Sequence, residues 1–328
     1  MKKNIAIIGC GHWGKNLVRN FADLGALAAL CDPNRQLAQS YAQQYNASDL
    51  SFEAIIADPS IEGIVLAVPA PLHASLALEA MNAGKHVFVE KPLAMNRVEA
   101  EVMIASSKEN DVQLMVGHLL QYHPIFMEVL KLVKSGELGP LKYVYSNRLS
   151  FGKVRSEEDV IWSFAPHDIS MILSLIGSEP EIVRTVSSNI LHADIADTAT
   201  LHMEFKSELK AHISVSWLHP TKEQKLVVIA QNGMVIFDDT KPWNEKLALY
   251  RHDVQVDNGL SSLKKAEVEY LQVQESEPLR NECQHFLNII SKNATPLTDG
   301  NEGLSVVNVL SAASLSASRN EAIKLDVL

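Results

Sequence analysis

Short apolar runs alternate with helically spaced apolar positions over the first third of the chain. Asn4–Ile8, Leu27–Leu30, Ile64–Val68, Val87–Val89 and Leu114–Val116 have the length of buried strands. Between them, Leu17, Val18 and Phe21 mark one helical face. Further helices are expected from the Pro69–His73 turn through Met81, and over Val98–Asn110. Continuous apolar strands separated by helices predict an α/β unit with a parallel, doubly wound sheet covered on both faces.

The rhythm changes near residue 118. Ile125–Val133 reads as a helix, and most later strands alternate. Tyr143, Tyr145 and Asn147 share one face of a strand; so do Leu201, Met203 and Phe205, and Ile213, Val215 and Trp217. Leu226–Ala230 and Val235–Phe237 flank the hairpin signal Asn232-Gly233. Alternation predicts a large open, mainly antiparallel sheet with one exposed face, in a C-terminal α+β domain. Helices expected at Leu279–Ile290 and Glu302–Ser318 cover some of it, and a helical stretch is expected from Ile169 to Ile176. The pattern divides the chain into residues 1–118 and 119–328, with no linker, repeat or low-complexity tract between them.

The first strand and helix enclose Gly9-Cys10-Gly11-His12-Trp13-Gly14, which fits G-x-G-x-x-G. Strand, glycine turn and helix come in the order of a dinucleotide site. Gly9 allows a tight turn, Gly11 lets the backbone approach a pyrophosphate, and Gly14 lets the helix pack close to the strand. The helix N-terminus offers unpaired N–H groups to the anion. Asp32 follows the second strand, 23 positions after Gly9, near the spacing of an acid that binds a ribose 2′-hydroxyl. A carboxylate there repels a 2′-phosphate, so NAD is expected rather than NADP, although Arg35 stands nearby. The alternative is an ordinary turn, with Asp32 capping the helix after Pro33. Gly9, Gly11, His12, Trp13, Gly14, Asp32, Pro69, His73, Glu90, Lys91 and His118 form the expected cofactor site.

Length and charge narrow the class. At 328 residues, two domains with sizeable cores are expected. Net charge is −10 with no basic cluster, which argues against nucleic acid or an anionic membrane as partner. No apolar run approaches the roughly 20 residues of a bilayer span. Lys2 and Lys3 precede a short apolar run as in a signal peptide, but the glycine turn interrupts it. Cys10, Cys31 and Cys283 are scattered and lack metal spacing, so a reduced, cytoplasmic chain with no metal site is expected.

Glu90-Lys91-Pro92 ends a later strand of the same sheet, where an ammonium would meet a nicotinamide ring. That points to hydride transfer rather than generic nucleotide binding. Together with the glycine turn, Asp32, Val68-Pro69-x-x-x-His73, Val116-Gly117-His118 running into Pro124, and Pro166-His167-Asp168, it resembles the Gfo/Idh/MocA oxidoreductases over nearly the whole chain. The resemblance implies an NAD(P)-binding Rossmann domain and a second domain that forms the substrate site and often an oligomer interface. A homodimer or homotetramer acting on a small-molecule sugar follows from it. It also implies that Lys91 hydrogen-bonds the reacting oxygen, that His167 is the acid–base group, and that the peptide before Pro92 is cis.

The chain departs from the commoner family pattern at Ser163, where an Asp usually stands four residues before the histidine; Asp168 is the expected substitute. Arg148, Lys153 and Arg155 bring three cations near His167, suited to phosphate or carboxylate. Trp162 or Tyr122 would stack a sugar or base. The expected substrate site is Lys91, Tyr122, Arg148, Arg155, Trp162, His167 and Asp168. This resembles the nucleotide-sugar branch, which oxidises a ring hydroxyl such as C3 of UDP-N-acetylglucosamine or its uronate. A free inositol or aldose dehydrogenase and a non-catalytic NAD-dependent sensor remain alternatives, and so does a solvated role for the three cations beside Glu157, Glu158 and Asp159.

Overall fold

A computed structural model describes residues 3–152, 154–156, 158–257 and 260–327. The chain forms two compact units, Met1–Tyr122 with Glu277–Val307, and His123–Ser276 with Asn308–Leu328.

The first unit contains β1 (Ile5–Ile8), α1 (Gly14–Asp23), β2 (Leu27–Cys31), α2 (Arg35–Tyr45), β3 (Ser48–Asp49), α3 (Phe52–Ala57), β4 (Gly63–Leu66), α4 (His73–Asn82), β5 (His86–Glu90), α5 (Arg97–Glu109) and β6 (Leu114–Gly117). The strands form one parallel sheet in the order β3-β2-β1-β4-β5-β6. β1, β4 and β6 are buried at every position, as strands covered on both faces must be. α2, α3 and α5 start on polar caps: Asn34, Ser51 and Asn96 each accept a backbone N–H three residues on. Strand order reverses between β1 and β4, so their C-terminal ends define the crevice where such sheets bind ligands.

The second unit adds α6 (Pro124–Lys134), β7 (Leu141–Phe151), α7 (Val160–Ile176), β8 (Ile182–Ser188), β9 (Thr198–Glu204), β10 (Lys210–Ser216), β11 (Leu218–Ala230), β12 (Met234–Asp238), β13 (Leu247–Tyr250), β14 (Asp253–Asp257), β15 (Leu260–Lys264) and β16 (Val268–Tyr270). The chain ends with α8 (Pro278–Ile290), α9 (Gly300–Arg319) and β17 (Ile323–Lys324). Nine strands run β16-β13-β12-β11-β7-β10-β9-β8-β17, all antiparallel except the β7–β10 pair. In β9, Ala199, Leu201 and Met203 are buried while His202 and Glu204 face out. α7 packs on β7, β9 and β10.

Two expectations change. The single division after residue 118 misses the return of the chain to the first unit. Phe286 of α8 meets the edges of Phe21 and Phe88, with ring centroids 6.4 and 5.6 Å away. Val116 N–H donates to the Thr298 carbonyl at 2.8 Å. α8 therefore completes the core of the first unit rather than covering the second sheet. The helix expected from Ile169 begins at Val160, capped by Asp159, and carries Pro166 in its interior. Pro166 reads as a boundary because it has no N–H for the Trp162 carbonyl; the buried apolar face on both sides of it carries the helix through.

Candidate active site

In the first unit the glycines separate by the space around them. Gly9 has φ +93°, and a Cβ there would lie 2.4 Å from the Ala67 carbonyl oxygen. A Cβ on Gly14 would lie 2.1 Å from the Gly9 carbonyl oxygen. Gly11 has nothing within 4 Å of its Cβ position. Two glycines are thus required by the fold, and the third keeps backbone open at the start of α1. His12 and Trp13 are exposed beside it. This geometry fits a pyrophosphate on the helix N-terminus.

Asp32 is held by backbone: its carboxylate accepts Cys10 N–H at 2.7 Å and Asn34 N–H at 2.8 Å. These bonds tie the end of β2 to the glycine turn and leave lone pairs for a ribose hydroxyl. Arg35 lies 3.7 Å from Asp49 and is largely exposed.

Glu90, Lys91 and Pro92 leave β5 through a cis Lys91–Pro92 peptide. Trp13 Nε1 donates to Glu90 at 2.5 Å, joining the glycine turn to this one. His73, expected to line the cofactor cleft, is instead buried beneath the turn. Its ring nitrogens lie 2.8 Å from the Pro92 carbonyl oxygen and 2.9 Å from that of Val68. It therefore spans the segments after β4 and β5. Burial lowers its pKa, opposed by the two carbonyls. Pro69 opens the short 3-10 turn before α4. His118, after β6, is buried with Nδ1 2.5 Å from Glu302.

Tyr122 does not present a stacking face. It is 3% exposed, with its hydroxyl 3.2 Å from Thr298 Oγ1 and 3.1 Å from His285 Nδ1. Its local sequence gave no sign of partners that arrive with the 277–307 segment.

In the second unit His167 is half-buried in the middle of α7. Asp168 is committed elsewhere: it accepts Arg148 Nε at 2.5 Å and the Ser146 hydroxyl at 2.5 Å. Its expected part beside His167 gives way to this buried pairing with β7. Arg148 is likewise turned to Asp168, and Arg155 lies 2.7 Å from Glu158. Lys153, the third expected cation, and Glu157 lie outside the described residues. Trp162 Nε1 donates to Ser314 at 2.8 Å. Ser163 is buried four residues before His167. His123 caps α6 and lies 3.3 Å from Asp239, a structural role.

Glu282 and Glu302 join the first-unit site from far along the chain. Glu282 had a legible signal, an acid in the apolar stripe Leu279, Cys283, Phe286 of α8.

An open glycine turn at the switch point of a 3-2-1-4-5-6 sheet, with a fixed acid after β2 and a lysine at the end of β5, defines a dinucleotide-dependent oxidoreductase. Residues 3–118 match the oxidoreductase family with an NAD-binding Rossmann fold, and residues 126–236 match the GFO/IDH/MocA C-terminal domain. The chain belongs to the Gfo/Idh/MocA family. It is 26% identical over 303 residues to UDP-N-acetylglucosamine 3-dehydrogenase of Acidithiobacillus ferrooxidans, spanning 92% of this chain and 93% of that one. A solved structure of that enzyme superposes with a TM-score of 0.85 at 25% identity, covering 96% and 97% of the two chains. Inositol 2-dehydrogenase of Rhizobium meliloti is 23% identical, over 99% of this chain and all of its own. The expected family, fold class and enzyme class are therefore correct.

Proposed function

We propose that this oxidoreductase uses NAD to oxidise a ring hydroxyl of a sugar, with the 3-hydroxyl of a nucleotide-activated amino sugar as the leading substrate. The observation that carries dehydrogenase chemistry is Lys91 at the end of β5, tied through Glu90 and Trp13 to the glycine turn. Similarity to UDP-N-acetylglucosamine 3-dehydrogenase over nearly all of both chains supports the substrate class.

Gly9, Gly11 and Gly14 shape the pyrophosphate turn, and Asp32 accepts from the ribose. Asp32 also supports NAD over NADP, because its fixed carboxylate repels a 2′-phosphate while Arg35 is drawn to Asp49. When bound, NAD would supply the hydride acceptor for the carbinol carbon. The Lys91 ammonium donates to the reacting oxygen and stabilises charge that develops there. His167 takes the hydroxyl proton as general base. His73 and Glu90 hold the Lys91 turn rather than meeting substrate.

A second reading, a free polyol or inositol dehydrogenase, gains from one observation: Arg148 and Arg155 are each paired with an acid, so neither stands out as a phosphate ligand. We read the open face of the nine-stranded sheet as the surface of a homodimer or homotetramer, testable by light scattering. The substrate test is NADH formation from NAD with UDP-N-acetylglucosamine, its uronate and inositol, with the keto product removed chemically. Turnover on a UDP-sugar, lost in His167→Ala, is expected. Turnover on inositol alone would replace the leading substrate with the polyol.

A further inference from the structure

Glu90 in the Lys91 turn and Glu282 of α8 are both buried and close enough for their charges to interact. Glu90 Oε1 accepts from Trp13, and its Oε2 packs against Gly117, where a Cβ would lie only 3.0 Å from it. Glu282 sits in the apolar face of α8, 0% exposed, and neither carboxyl oxygen has a hydrogen-bond partner among the described residues. An ionised carboxylate there is shielded from solvent and has no donor among the described residues to stabilise it. Burial, with the charges of Glu90 and Glu302 adding to it, holds Glu282 well above the usual carboxylate range. Burial lifts Glu90 to about 7, against the opposing pull of Trp13, Lys91 and His118. The other titratable groups around them are Lys91, His118, which is paired through Nδ1 with Glu302, and Tyr122 and Cys283, whose phenol and thiol burial raises. Two negative charges this close in a buried site repel, and Glu90, which has the Trp13 donor that Glu282 lacks, is the better placed of the two to carry one.

We propose that Glu90 takes up a proton when the cofactor changes from its oxidised, cationic ring to its reduced, neutral one, while Glu282 stays a neutral acid behind it. This rests on the reading that the reacting end of NAD meets the Lys91 turn. Alcohol oxidation sends a hydrogen and two electrons to the cofactor as hydride and releases one proton. Loss of the nearby positive charge favours protonated Glu90. His167 takes the proton released by the alcohol and returns it to solvent, while Glu90 takes one up from solvent, so the summed charge of the cofactor ring and Glu90 is unchanged across the reaction. Glu90 thereby acts through Lys91 as a positioning residue that matches the charge of the site to the redox state of the cofactor.

The test compares NAD and NADH binding to the full-length protein by calorimetry in weak buffer, with an indicator dye reading proton uptake. NADH should bind with greater uptake than NAD near pH 7. Because NADH favours the protonated form, its affinity relative to NAD should fall as pH rises through the Glu90 transition, by up to about tenfold per pH unit. Glu90→Gln should abolish the difference, and Glu282→Gln, a neutral isostere, should retain it. Equal uptake with both forms in the wild type, or a difference that survives in Glu90→Gln, overturns the proposal while leaving the cofactor reading intact. A difference lost in Glu282→Gln overturns the neutral role of Glu282. Failure to bind either form removes the cofactor reading and this proposal together.

Discussion

Arg148→Met isolates what the Arg148–Asp168 pair contributes. Asp168 is 1% exposed and Arg148 13%, with a 2.5 Å contact through Nε and a second donor at 3.3 Å. Removing the arginine leaves a buried carboxylate that keeps, among the described residues, the Ser146 hydroxyl. Breaking a buried pair from one side costs roughly 3–5 kcal/mol. The remaining Ser146 bond and the partial exposure of Arg148 put this case near the lower end, about 3 kcal/mol. With a urea slope near 3 kcal/mol/M, the midpoint falls by ~1 M. Trp162, Trp217 and Trp243 all lie in the second unit, so tryptophan fluorescence reports it. Arg148→Met with Asp168→Leu should recover to within about 1 kcal/mol of wild type, since the uncompensated charge is gone. A single variant with a midpoint shift under ~0.3 M and a tenfold or greater rise in KM for a UDP-sugar would refute the reasoning and return Arg148 to the substrate.

Other substitutions probe the remaining parts. Gly11→Ala should leave stability within about 0.5 kcal/mol while weakening NAD binding at least tenfold, because its side has open space. Gly14→Ala should lower the melting temperature as well, since its Cβ would strike the Gly9 carbonyl; equal melting temperatures for the two variants would contradict the turn geometry. His73→Leu removes the imidazole N–H that donates to one of the two facing carbonyls and should cost about 1–3 kcal/mol by urea titration. Burial raises the Asp239 pKa, but His123 and Lys246 outweigh it and hold the group at about 2. A depressed carboxylate stabilises the fold above its unfolded value and loses that as pH falls through the folded one. About 2 kcal/mol should therefore vanish between roughly pH 4 and pH 2, and Asp239→Asn should flatten that segment of the stability curve.

The first sheet was legible because its strands are continuous apolar runs between helices, a pattern that admits few arrangements. The glycine turn, Asp32 and Glu90-Lys91-Pro92 were legible because each is a local motif. What pattern reading missed comes from contacts distant in sequence. Nothing around Tyr122 announces Thr298 or His285, and nothing around Arg148 shows that Asp168 faces it across the packing of β7 and α7. A cluster of cations in sequence is a candidate anion site only until their own carboxylates are found. His73 illustrates the same limit. Its motif position is correct, yet its two ring nitrogens serve backbone carbonyls. Glu282 was readable in principle, because an acid inside an apolar helical stripe must be either paired or neutral.

The most direct test of hydride transfer at Lys91 is NADH formation and NAD affinity measured on the same Lys91→Met preparation. NAD binding is expected within about threefold of wild type and turnover reduced by roughly 100-fold or more, the loss typical of removing one donor to a developing oxyanion. Turnover at the wild-type rate with NAD bound would contradict hydride transfer at Lys91.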